Sequence, residues 1–131
     1  MRASLRVAVA LFVAVAGSAL LVGGYATPAA EAFPADQLAR GEEVWAANCI
    51  RCHGPGSDNP DAPNLQRPGA FRTYPSAADL FQYAQTSMPS DQPATLLDEQ
   101  YWDVLAFLLS QQGITSGTPL GPDNAATVPT S

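Results

Sequence analysis

The chain has 131 residues, room for one domain and too few for a multidomain enzyme. Twelve acidic residues stand against six basic ones, a formal charge of -6, and every basic residue is Arg, so there is no basic face for a nucleic-acid backbone. With two Cys, one His and two Met, of which Met1 is the initiator, any site chemistry must use very few atoms.

Residues 1–25 carry Arg2 and Arg6 ahead of an uncharged run from Val7 to Gly24, the pattern of an export signal or an N-terminal membrane anchor. At 18 residues the run exceeds a usual signal core and is at the short end of a bilayer span, so both readings stand. Ala30-Glu31-Ala32 offers a small-x-small cleavage site. Either way the remainder is expected outside the cytoplasm, in the periplasm or on the outer face of the membrane. Residues 26–34, rich in Ala and Pro, read as a linker.

Pro34 to Asn48 predicts a helix with Pro in its first turn, and Leu38, Val44 and Trp45 can share a side with Gly41. Directly after it, Cys49-Ile50-Arg51-Cys52-His53 is C-x-x-C-H, the sequence to which a c-type haem is attached. The spacing has a physical reason. Two thiols three positions apart can each form a thioether to one vinyl group, and the next residue can present its imidazole to the iron as proximal ligand. A thioredoxin-type thiol pair would need a βαβ context, and a zinc site four ligands, for which there is no third Cys and no second His.

Seven prolines between Pro55 and Pro93 exclude a central strand and with it a β-sheet fold. Within this stretch Ser76 to Asp79 reads as a capping box opening a short helix to about Thr86. Met88-Pro89 then ends it. His53 is the single histidine, so two-His ligation within one chain is impossible, and Met88, the only internal methionine, is the candidate sixth ligand. The competing reading of a lone Met is core filler.

Asp98 to Gln112 predicts the longest helix, with Tyr101, Val104, Leu105 and Leu108 at helical spacing, Thr95 or Leu97 before it, of which Thr95 with Asp98 is the better cap, and Gly113 as its stop. Residues 113–131 have the composition of a flexible C-terminal tail. The 78 residues 35–112 are then too few for a self-sufficient core rich in loops, unless a large apolar cofactor fills it.

On these motifs the region 35–112 resembles the class I c-type cytochromes, small monohaem electron carriers, soluble or tethered. The resemblance implies an all-α cytochrome c fold: three to four short helices and loops wrapped around one haem c, covalent through Cys49 and Cys52. It implies that Gly41 and Trp45 on the first helix pack against Phe107 on the last, as a close helix crossing would require. It implies that the Pro63 carbonyl accepts a hydrogen bond from the His53 imidazole and that Met88 is the distal ligand. Leu65, Tyr83, Val104, Leu105 and Leu108 are the expected pocket lining. The implied activity is one-electron transfer between membrane-bound redox enzymes, with no substrate chemistry of its own. Alternatives are a haem-bearing subunit of a larger membrane redox complex or, if Met88 is not bound, an open-iron peroxidase or gas sensor. The last would lack a distal histidine. The absence of Lys departs from the basic docking ring of many family members.

Overall fold

The computed structural model describes residues 32–131, so the expected signal or anchor segment and most of the expected linker lie outside the described residues. The chain forms four helices, α1 (Ala35–Asn48), α2 (Ile50–His53), α3 (Ala77–Ser87) and α4 (Asp98–Gln111). Among the described residues there is no named strand, only an isolated antiparallel bridge between Ser76 and Pro129, so the all-α expectation is met. No helix among them is long and apolar enough to cross a membrane.

Helix α1 buries Gln37, Gly41, Val44 and Trp45, one face at helical spacing. That face meets α4 at Gly41. A Cβ added there would lie 2.1 Å from the Asp103 carbonyl oxygen and 2.8 Å from the Phe107 Cβ, so only glycine permits this approach. An ion pair fixes the same crossing. Arg40 donates from Nε to Asp103 Oδ2 (2.8 Å) and from Nη2 to Oδ1 (3.1 Å), while Nη1 reaches Asp36 (3.0 Å). Asp103 is buried and its fork-to-fork partner is what makes that burial tolerable. The same arginine's hydrogen bond lowers the pKa of Asp36.

Helix α4 is buried without interruption from Tyr101 to Leu109, because it runs through the middle of the domain. Phe81 of α3 stacks on Trp102 (3.7 Å between centroids) and meets Tyr101 edge-on (6.1 Å), which docks α3 on α4. The capping box of α3 is present, with the Asp79 N–H donating to Ser76 Oγ (3.3 Å) and the Ser76 N–H to Asp79 Oδ2 (3.1 Å). At the end of α4, Gly113 (φ 78°) makes a Schellman motif, its N–H bonded to Ser110 O (2.9 Å) and that of Ile114 to Leu109 O (3.1 Å).

Three expectations need correction. The cap of α4 is not Thr95, whose hydroxyl donates to Gln92 O (2.7 Å); the Gln100 side chain instead accepts the Leu97 N–H (2.9 Å). Phe33, assigned to the linker, is buried in the core, so the domain begins before Ala35. The segment 113–131 is not a loose tail. Leu120, Ala125, Val128 and Thr130 are buried, and the segment straps α1 to α3.

The strap is held by backbone partners. The Gln37 side chain and the Leu120 backbone exchange two hydrogen bonds (2.9 and 2.8 Å). The first-turn N–H groups of α3, which no helix can satisfy internally, go to the strap: Ala77 to Val128 O (2.9 Å) and Ala78 to Ala125 O (3.2 Å). Thr130 Oγ1 lies on the carbonyls of Phe71 (3.0 Å) and Tyr74. Ending the chain at Gly113 removes the burial of Leu120 and Val128, about 1.5–3 kcal/mol each before the cost of ordering the chain. The thermal midpoint of the truncated protein is expected to fall by about 5 °C or more. Circular dichroism checks this, and a midpoint within a degree of the full chain would show the strap to be passive.

Candidate functional site

Helix α1 ends at Asn48, and Cys49 (φ -117°, ψ -41°) separates it from the single turn α2. The Cys49 carbonyl accepts from the N–H of both Cys52 (3.1 Å) and His53 (2.9 Å), so the two thiols and the imidazole are set by one turn of backbone. All three side chains line a cavity of about 480 Å³. Cys49 is partly buried and Cys52 exposed, and they form no disulfide. Burial, with a smaller contribution from Cys52, pushes the Cys49 thiol up to about 11, so it is a neutral thiol near pH 7. Cys49 is therefore not the depressed thiol that a redox pair would use.

His53 Nδ1 lies 2.8 Å from the Pro63 carbonyl oxygen. That oxygen can only accept, so Nδ1 carries the proton and Nε2 keeps its lone pair for a metal. The loop that supplies Pro63 is itself anchored. The Leu65 N–H donates to His53 O (3.2 Å), and Asn64 Oδ1 accepts from the Gln66 N–H (2.9 Å). Gln112, just past α4, donates to Leu65 O (3.3 Å) and accepts from the Gly69 N–H (2.9 Å).

The remaining residues singled out in the sequence converge on the same cavity. Pro63 and Leu65 line it from the loop after α2, Tyr83 from α3, Met88 from the C-cap of α3, and Val104, Leu105 and Leu108 from α4. Tyr83 is 44% exposed and its ring lies 5.4 Å from that of Tyr74. Met88 is partly buried, with its N–H bonded to Ala84 O (2.8 Å).

Sequence reasoning missed several lining residues. Tyr101 faces the cavity because it lies one and two helical turns before Leu105 and Leu108, a spacing visible in the sequence. Phe71, Tyr74 and Leu96 come from irregular segments with no period to betray them. Arg51 and Asp91 also line the cavity and pair with each other (2.9 Å).

This donor set suits a macrocyclic cofactor. Among the described residues no cluster of three or more His, Cys, Asp or Glu is placed to hold a bare metal ion. His53 and Met88 line the same cavity, and an imidazole nitrogen with a thioether would be a donor pair suited to iron whose other four ligands come from a ring. The apolar side chains of α4 on the cavity, and the two thiols beside His53, fit a ring held covalently at its edge.

A protein-family model described as cytochrome C oxidase, cbb3-type, subunit III matches residues 36–108, more than half of the chain. No curated protein and no solved structure matches it.

Proposed function

Because the chain belongs to the cbb3-type cytochrome c oxidase subunit III family, whose domain is a c-type cytochrome carrying covalent haem c, we propose that it is an exported one-electron carrier with His53 and Met88 as axial ligands. The observation that carries this reading is the convergence of Cys49, Cys52, His53 and Met88 on one cavity walled by α4. When bound, the haem supplies a one-electron couple on an iron whose coordination need not change between oxidation states.

The chain's own residues would do the rest. Cys49 and Cys52 hold the ring, and Pro63 keeps His53 in the tautomer that leaves Nε2 free for iron. Leu65, Val104, Leu105 and Leu108 exclude water, which with the Met88 thioether favours the reduced state and raises the potential. Tyr83, half-exposed, borders the cavity at the surface. The run from Val7 to Gly24 after Arg2 and Arg6 supports export and either cleavage or retention as an anchor. Membrane-bound redox enzymes would be its electron donor and acceptor, met through an acidic surface without Lys.

Absorption spectra test the assignment. The protein matured with haem is expected to show a c-type spectrum in both oxidation states and, when ferric, the weak near-infrared band that reports sulfur on iron. The reduced protein should take up carbon monoxide slowly and incompletely at neutral pH. Rapid and complete uptake would instead favour an open iron. The family description favours a second reading, a haem-bearing subunit of a larger membrane redox complex. Rapid electron exchange by the purified domain alone supports the free carrier, and sluggish exchange supports the subunit.

A further inference from the structure

The segment between α3 and α4 carries Met88 yet is only lightly tied to the rest of the fold. Most of its bonds stay within it or reach the adjoining helix ends: the Met88 N–H to Ala84 O (2.8 Å), the Gln92 N–H to Pro89 O (2.9 Å), Thr95 Oγ1 to Gln92 O (2.7 Å) and the Leu97 N–H to Gln100 Oε1 (2.9 Å). Two bonds reach across the cavity region. Arg51 beside the cysteines pairs with Asp91 at 2.9 Å, and the Tyr101 hydroxyl donates to the Met88 carbonyl at 2.6 Å.

The two differ in kind. The Arg51 and Asp91 side chains are 77% and 57% exposed, so their attraction is screened by water and salt and contributes little. Tyr101 is 2% exposed, and its ring is held edge-on by Phe81 on a helix buried along most of its length. Its hydroxyl therefore has a fixed position, and it binds the backbone of Met88, a residue that lines the cavity.

We infer that Tyr101 is a positioning residue: its hydroxyl latches the Met88 carbonyl to α4 and so keeps the thioether on the cavity. This rests on the axial reading of Met88. Where the thioether leaves iron by movement of the backbone at residue 88, the hydroxyl must part from the carbonyl. Tyr101→Phe keeps the buried ring and removes that bond, together with the hydroxyl's approach to the backbone at Ala94 and Leu96 of the same segment. The net worth of one hydrogen bond then raises the open population roughly three- to tenfold. An external ligand that binds only the open form should report that change in its association rate.

The test measures imidazole association with the ferric, haem-loaded full chain, for the unmutated protein and Tyr101→Phe, at low and high salt. The near-infrared sulfur band and the thermal midpoint are recorded alongside. The expected result is a band in both proteins and association faster in Tyr101→Phe by roughly three- to tenfold, with the same ratio at both salts. Association within 1.5-fold of the unmutated protein, or a lower thermal midpoint with no change in rate, would overturn the latch and leave the axial reading standing. Absence of the band from the unmutated protein would overturn both. A measurement needing no variant is the Tyr101 hydroxyl proton of the reduced protein by NMR. Exchange slow enough for it to be observed supports the latch, and fast exchange with water overturns it.

Discussion

Gly41→Ala is expected to lower the thermal midpoint of the haem-loaded protein by more than about 10 °C, or to prevent its accumulation. Two effects of opposite sign compete at this position. Alanine is the better helix former by about 0.8–1 kcal/mol, which alone would stabilise α1. Its Cβ, however, would sit 2.1 Å from the Asp103 carbonyl oxygen and 2.7 Å from the carbonyl carbon, and these are backbone atoms that cannot rotate away. Relief requires α1 and α4 to part by about an ångström, against the paired Arg40 and Asp103 that hold them together. Overpacking of a core costs about 1–3 kcal/mol and occasionally more, and a clash with backbone belongs at the upper end, so it outweighs the propensity gain. Gly121→Ala is the matched control, since no atom lies within 4 Å of a Cβ built there. Its midpoint should move little. Equal midpoints for the two variants would mean that the helix crossing is looser than its geometry implies.

That crossing was legible through the resemblance, which set Gly41 and Trp45 against Phe107, and the bare chemistry agrees, since a glycine permits a close approach of two helices. The boundaries of α3 and the end of α4 were legible for a similar reason. Ser76 with Asp79 and Gly113 are local signals, acting within a turn of their own position. The cavity was legible in its chemical residues, since C-x-x-C-H and a single internal Met leave few ways to build a site.

What escaped the sequence is polar and long-range. Gln37 ties to Leu120 across 83 residues and Thr130 to Phe71 across 59, each through one side chain and a backbone group. Such bonds leave no period, and the strap's apolar residues, Leu120, Ala125 and Val128, are too sparse to read as a buried face. Composition judged residues 113–131 by their Gly, Pro and Thr, whereas order there depends on donors at the start of α3 that need acceptors. Tyr101 was read only as one member of a helical face, with no role for its hydroxyl. The bond to Met88 is formed by a loop whose path the sequence does not state.

Met88→Ala is expected to abolish the near-infrared sulfur band, open the iron to carbon monoxide and imidazole, and lower the midpoint potential by on the order of 0.1 V or more, since axial ligation ranges haem potentials over about 0.8 V. The haem itself should stay, because the cysteines hold the ring. The fold should also stay. Both bonds that Met88 makes, its N–H to Ala84 O and its carbonyl from Tyr101, belong to the backbone and survive in alanine. If Met88 were only filler for a partly buried gap, the outcome would be reversed: a loss of stability of about 2 kcal/mol, with spectrum and potential unchanged. Met88→His separates sulfur from mere occupancy of the sixth position. It should lose the band yet resist carbon monoxide, with a potential below that of the unmutated protein because imidazole does not favour the ferrous state as a thioether does. A band that persists in Met88→Ala would remove the axial assignment, as the only other methionine is Met1 at the start of the chain.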